Sequence, residues 1–182
     1  QQPSTKDRKV VLAGLGLGGW VAASAALKAQ ASALLAVAFP AKNLLRLWRE
    51  QANTGTDPEA LLKAQLELES LSGKLEEKGA EWATYGGQKV HIAEIRELAS
   101  QDPLALASSV TVPCLFAYPE RDQTVMAFHK EVLAPALHAG QEILVLPGLG
   151  HRLTAYDPEG VQSGLVEAKN LAPVLAWLKK VS

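Results

Sequence analysis

The chain has 182 residues, 48% of them hydrophobic and 20% charged, so it carries enough apolar material for a sizeable core and differs from disordered sequences. Its 18 Lys and Arg residues against 19 Asp and Glu residues leave a formal net charge of −1, and neither sign forms a long run. This balance excludes the basic stripe that nucleic-acid binding requires, and no apolar stretch approaches the roughly 20 residues of a membrane-spanning helix.

A strand, a glycine turn and a helix are predicted at the start of the chain. Residues 9–13 (KVVLA) form a short Val-rich run, which is typical of a strand buried on both faces. Residues 14–19 (GLGLGG) then predict a turn too tight for side chains. Residues 20–30 have Ala and Leu at helical spacing, with Lys28 where a cation suits the helix dipole.

The middle of the chain is less regular. Residues 32–39 (SALLAVAF) predict a second buried strand, which Pro40 ends because proline cannot donate to a ladder. Helical periodicity follows over 41–52, 57–71 and 91–100, with many charged side chains on the second of these segments. That pattern favours a peripheral helix with a solvated face.

The alternation of strands and helices returns in a cleaner form after residue 110. Strands are predicted over 112–118 and 142–146, helices over 125–138 and 170–181, and loops over 119–123 and 147–152. Strands alternating with helices of this length indicate βαβ units. We therefore predict an α/β fold with a mostly parallel sheet flanked by helices.

Two residues with acid-base chemistry stand in loops that follow predicted strands. Asp122 lies in PERDQTV and His151 in PGLGHR, and the glycine turn follows the first strand in the same way. In parallel sheets the chemistry is located in loops beyond the carboxyl ends of the strands. Asp122 and His151 are therefore the candidate catalytic pair.

The remaining histidines and the single cysteine carry no predicted chemistry. His91, His129 and His138 lie on or at the start of predicted helices and lack metal-ligating partners at short spacing, so we expect surface residues and no metal site. Cys114 stands in an apolar run and is interpreted as a small buried hydrophobe. A single cysteine fits a reducing compartment, which weakly favours a cytoplasmic location.

Residues 9–178 resemble the C-terminal part of an α/β-hydrolase, the fold of serine esterases, lipases and serine aminopeptidases. VPCLFAYPERDQTV is similar to the strand and loop that carry the acid in that family, and EILVLPGLGH to its last strand and histidine loop. The resemblance implies that Asp122 orients His151, the general base. It also implies that residues 1–182 are a single partial domain without its N-terminal strands, and that 41–110 form a helical cap insertion.

The glycine turn departs from the family pattern at the nucleophile. On the GxSxG elbow, Gly16 takes the place of the serine, and Gly14, Gly18 and Gly19 take the positions that need small residues. The backbone N–H of Leu17 becomes one oxyanion donor. Because glycine has no oxygen, the route through an acyl-enzyme is closed, so we predict a protein related to cofactor-free ester or amide hydrolases that is inactive as written.

Three further expectations remain open at this point. Gly14, Gly16 and Gly19 also match the GxGxxG fingerprint of NAD(P)-binding Rossmann domains, although residues 32–42 lack the acid that this fingerprint expects. Gly16 is equally compatible with a hydrolase-derived scaffold that binds a ligand or a partner without catalysis. An elbow that begins at residue 14 further predicts an exposed strand edge, covered by a partner or by a preceding segment, or else prone to aggregation.

Overall fold

The computed structural model describes residues 9–54, 56–156 and 166–181. The chain divides into two compact units, the first from the described parts of Gln1–Ala41 and Pro103–Ser182 and the second from those of Lys42–Asp102. In chain order the elements are β1 (Val11–Leu15), α1 (Leu17–Lys28), β2 (Ala33–Val37), α2 (Leu44–Ala52), α3 (Pro58–Glu76), β3 (Trp82–Tyr85), β4 (Gln88–His91), α4 (Ile92–Ser100), α5 (Pro103–Ser109), β5 (Cys114–Pro119), α6 (His129–Leu133), β6 (Gln141–Leu146) and α7 (Ala172–Val181).

The first unit contains a four-stranded sheet in the order β1-β2-β5-β6. All three pairings are parallel, with Gly14 opposite Ala36, Leu35 opposite Leu115 and Ala117 opposite Leu144. Neighbours in the sheet thus follow the order of the chain, and each crossover carries at least one helix. The predicted parallel α/β architecture is confirmed.

The core of the first unit lies around β2 and β5, whose residues are almost entirely buried. Phe39 and Phe116 meet edge to face, with ring centroids 5.2 Å apart. The Tyr118 hydroxyl donates to the carbonyl of Phe39 at 2.9 Å, and burial raises the pKa of Tyr118 far above its usual range. Cys114 is fully buried as expected, and burial raises the pKa of its thiol to about 11. A thiol in this state is an inert part of the core.

β1 is less buried than its sequence predicts. Ala13 and Leu15 are exposed, although the Val-rich run indicated a strand covered on both faces. The prediction was wrong because β1 is the edge strand of the sheet, and hydrophobic periodicity does not distinguish edge strands from central ones. Among the described residues no strand pairs with the outer side of β1.

The predicted helix over residues 125–138 is also wrong in extent. α6 begins only at His129 and continues as a 3-10 turn through Pro135, because proline interrupts the hydrogen bonding of an α-helix. His129, expected at the surface, is fully buried, and its Nδ1 accepts a hydrogen bond from the Ala41 N–H at 2.9 Å. A neutral imidazole with a backbone partner is tolerated in a core. His138 is exposed as expected, but it lies beyond the helix.

The second unit holds three helices and a hairpin. α3 begins as predicted, with Pro58 in its first turn and Asp57 accepting the N–H of Glu59 at 3.0 Å, and it continues to Glu76. The antiparallel strands β3 and β4 were not predicted; they lie between the helices predicted over 57–71 and 91–100, inside the insertion expected to be helical. Gly86 and Gly87 join them with φ values of 57° and 73°, which is the two-residue turn that matches strand twist. That this unit acts as a cap remains a prediction.

His91 is the last residue of β4 and pairs with Trp82. It is half-buried, although a surface position was expected. Its ring packs against the Trp82 ring with centroids 4.9 Å apart. None of the described helices combines the length and the apolar character that crossing a membrane requires.

Candidate active site

The loops that follow β1, β5 and β6 place Gly16, Asp122 and His151 close together. Because the three strands are parallel members of one sheet, their carboxyl ends lie along the same edge. These residues were grouped from the sequence by their loops and by the family order, and in the structure His151 contacts Asp122 and faces Gly16.

Asp122 is held by its own loop. Its side chain is fully buried, and its Oδ1 accepts the backbone N–H groups of Thr124 at 2.7 Å and Val125 at 2.9 Å. This Asx-type turn is a conformation that Asp favours in loops, and it fixes the orientation of the carboxylate. The second oxygen, Oδ2, is thereby directed at His151.

The Asp122–His151 pair is hydrogen-bonded. His151 Nδ1 lies 2.8 Å from Asp122 Oδ2, and the His151 side chain is 27% exposed. With a carboxylate accepting at Nδ1, the neutral imidazole carries its proton on Nδ1 and leaves the lone pair of Nε2 available. This is the arrangement in which an imidazole acts as a general base.

Hydrogen bonds tie the loop of Asp122 to the loop of His151. The N–H groups of Glu120 and Arg121 donate to the carbonyls of Leu146 and Leu149 at 3.0 and 2.8 Å. In the opposite direction, the Gly148 N–H donates to the Glu120 carboxylate at 2.8 Å. Glu120 therefore helps to position the pair, a role that sequence reasoning missed because a charge in a loop predicts only solvent exposure.

Gly16 occupies a backbone conformation suited to glycine and faces His151. Its φ of 56° and ψ of −127° lie outside the usual regions for other residues, and its N–H donates to the Val37 carbonyl at 2.9 Å. A Cβ at this position lies 3.5 Å from Cε1 and 3.6 Å from Nε2 of His151. A side-chain atom one bond further is within reach of Nε2.

The other elbow glycines differ in what they require. A Cβ on Gly14 is only 2.0 Å from the carbonyl oxygen of Gly18, and one on Gly19 is 3.1 Å from the Phe39 ring, so both positions need close backbone approach. A Cβ on Gly18 meets nothing within 4 Å. α1 therefore contacts β1 at Gly14 and packs against Ala36 of β2 and against Phe39 at Gly19, whereas packing does not require a glycine at position 18.

α1 begins directly at this turn. Gly16 is its N-cap, and the Gly19 N–H returns to the Gly16 carbonyl at 2.9 Å. The N–H of Leu17, in the first turn, has no acceptor within the helix. Its use as an oxyanion donor stays a prediction.

The dinucleotide-binding alternative is not favoured. Rossmann domains bind at a switch point, where strands depart from the first strand in both directions. Within the described residues, the sheet extends from β1 on one side only. The described part of the chain also contains no group of three His, Cys, Asp or Glu side chains arranged to hold a metal ion.

No protein-family model and no curated protein matches the sequence. Solved structures do match the fold, among them the esterase domain of a Rhodothermus marinus protein, with a TM-score of 0.58 and 16% identity over 94% of this chain and 61% of that one. Est1E from Butyrivibrio proteoclasticus gives a TM-score of 0.57 and 17% identity, covering 95% and 62%. DcsB, solved with a substrate analogue, gives a TM-score of 0.60 and 17% identity, over 97% of this chain and 66% of that one.

These likenesses establish an α/β-hydrolase-like fold. At such low identity they carry the architecture alone, and the chain spans about three fifths of the length of the first two structures.

Proposed function

We propose that this chain carries the acid and base of a serine-hydrolase triad, with the nucleophile position vacant. Asp122 orients His151, His151 is the general base, and Gly16 stands where the serine is expected. The Leu17 N–H serves as one oxyanion donor. In this proposal the chain has the acid and the base of a hydrolase but forms no acyl-enzyme.

One observation carries this proposal. His151 Nδ1 lies 2.8 Å from the buried Asp122 carboxylate, and its Nε2, which has no hydrogen-bond partner among the described residues, lies 3.6 Å from the Cβ position of residue 16. An acid, a base and a nucleophile position in this order are the working parts of a triad. Two surface residues that meet by chance do not supply a buried, doubly hydrogen-bonded carboxylate behind the imidazole.

The compounds that fit this site are small esters or amides, the class that hydrolases with an intact triad cleave without a cofactor. Structural neighbours include proteins described as esterases, which favours esters. The resemblance to serine aminopeptidases suggests amides as well, and substrate choice is assigned to residues 41–110.

A fluorophosphonate probe tests the vacancy directly. The native chain is expected to gain no probe mass, because labelling needs an activated oxygen nucleophile beside His151 and Gly16 supplies none. Intact-mass spectrometry after incubation measures the result. Unfolded protein labelled in parallel reports non-specific reaction, and a probe adduct located within residues 14–19 contradicts the proposal.

We further propose that a strand from a partner, or from a longer form of this chain, pairs with the outer edge of β1. Ser32 N–H donates to the Val10 carbonyl and Gly16 N–H to that of Val37, so residues of even number face β2. In a parallel ladder the backbone N–H and C=O groups of Val11, Ala13 and Leu15 then point away from β2, toward the open edge of the sheet. An edge of this kind promotes association.

The 182-residue chain is accordingly expected to self-associate at increasing concentration. Leu15→Lys, which places a charge on the edge strand, is expected to weaken association at least fivefold in sedimentation equilibrium. Val21→Lys on α1 is the matched control, because Val21 is 69% exposed but lies outside the edge strand. If the two substitutions weaken association equally, or if the chain is a monomer at all concentrations, pairing through the outer edge of β1 is wrong.

A further inference from the structure

The absence of a side chain at Gly16 leaves a small space in front of His151. Among the described residues other than its two chain neighbours, only His151 has atoms within 4 Å of the Cβ position, namely Cε1 and Nε2. Gly16 itself is buried, and we call the space between its Cβ position and the His151 ring the niche. It lies where the side chain of a serine at position 16 would begin.

The niche has polar partners for a water molecule. The lone pair of His151 Nε2 accepts one hydrogen bond from it, because Asp122 holds the proton on Nδ1. The N–H of Gly18, in the first turn of α1, has no acceptor within the helix and supplies a donor at the same end, while the N–H of Leu17 remains for the carbonyl oxygen. Two to four polar partners are what a bound water molecule requires.

We propose that this site hydrolyses esters by direct attack of a water molecule held in the niche beside Gly16, with His151 as general base and no covalent intermediate. This inference rests on the proposed function, because it uses the same acid-base pair. It goes further in assigning the nucleophile to the solvent.

The reaction balances with water as the only co-reactant. The water oxygen bonds to the ester carbonyl carbon, one water proton passes to His151 Nε2, and the carbonyl electron pair moves to oxygen. When the tetrahedral intermediate collapses, the carbon–oxygen bond to the leaving group breaks and His151 returns its proton to the departing oxygen. The products are a carboxylic acid and an alcohol, and His151 is neutral again.

Aryl esters are the substrate class that suits this mechanism. A phenolate leaves with little protonation, whereas an amide nitrogen needs a proton before its bond breaks. A single imidazole that must first remove a proton from water and then return it is therefore sufficient for an aryl ester. We expect anilides to react far more slowly.

The test uses the full chain and p-nitrophenyl acetate, with nitrophenolate release followed over many turnovers and intact mass recorded during turnover. Hydrolysis above that of buffer is expected with no acyl adduct and no burst. His151→Gln is expected to lower the catalysed rate about 100-fold, which is the contribution typical of a general base. Gly16→Ala, which fills the niche beside Nε2, is expected to lower the rate at least tenfold.

Gly140→Ala is the matched control for backbone strain. Gly140 has a φ of 91°, and a Cβ there meets nothing within 4 Å, so the substitution strains a glycine outside the site without filling a niche. Its activity is expected to stay within twofold of that of the native chain. If Gly16→Ala does not fold, the His151→Gln result decides alone.

The outcomes separate this inference from the function on which it rests. His151-dependent turnover without an adduct supports both. If a Gly16→Ser variant reacts with fluorophosphonate through His151 while the native chain shows no His151-dependent hydrolysis, the water mechanism is wrong and the triad assignment stands. If neither protein shows a reaction that depends on His151, both are wrong, and an acyl adduct on the native chain also overturns both.

Discussion

Gly16→Ser is expected to convert a chain that does not react with fluorophosphonates into one that binds a single equivalent of the probe covalently. The new Oγ extends from a Cβ 3.6 Å from His151 Nε2, which takes its proton as Oγ bonds to phosphorus and fluoride leaves. The labelling rate is expected to rise at least 100-fold over that of the native chain, because a serine gains its nucleophilicity from the adjacent base. Intact mass and peptide mapping measure this directly.

The same substitution is expected to lower the free energy of unfolding by about 1–3 kcal/mol, because residue 16 has a φ of 56° that strains a residue with a side chain. Gly16→Ala is the matched control, since it carries the same strain without the hydroxyl. Urea unfolding is expected to show similar losses for both variants, and only the serine variant is expected to become labelled.

A double variant separates reactivity from simple exposure. Gly16→Ser combined with His151→Gln keeps the hydroxyl and removes the base, so labelling is expected to fall back toward the native rate. Equal labelling of the single and double variants contradicts the assignment of His151 as the base. No labelling of a folded Gly16→Ser variant contradicts the nucleophile position of residue 16.

The sequence was informative about the sheet and the candidate pair for a simple physical reason. Alternating apolar runs and helical periods encode a parallel sheet, and the loops after its strands are the places where side chains are released from packing. Asp122 and His151 stand in two such loops, and the strand pattern together with the α/β-hydrolase resemblance was enough to propose them. Their 2.8 Å contact needed the structure, because loop conformation is not periodic.

Other features depend on what lies across space from a residue. His129 was expected at the surface because its chemistry is polar, but the Ala41 N–H provides a partner that makes burial tolerable. β1 was expected to be buried on both faces because its composition is apolar, but its partial exposure follows from its place at the sheet edge, which composition does not encode. The hairpin at Gly86 carried a local signal that the surrounding helical periods obscured.

Gly14→Ala is expected to cause the largest loss of stability of any substitution considered, about 3 kcal/mol. A Cβ on residue 14 meets the carbonyl oxygen of Gly18 at 2.0 Å, its carbon at 2.3 Å and the Gly19 nitrogen at 2.6 Å. All three are backbone atoms of the first turn of α1, so no side-chain rotation relieves the overlap. The helix must move away from β1, and the burial of Trp20 and Ala23 against the sheet is weakened.

Gly18→Ala provides the matched comparison within the same turn. A Cβ on Gly18 meets nothing within 4 Å and the residue lies inside α1, so alanine is expected to raise stability by about 0.5–1 kcal/mol through its higher helix propensity. Urea unfolding is expected to show a lower free energy of unfolding for Gly14→Ala and a higher one for Gly18→Ala, each relative to the native chain and with an unchanged m-value. Equal effects would contradict the close strand–helix contact at Gly14, and with it the backbone turn that directs residue 16 toward His151.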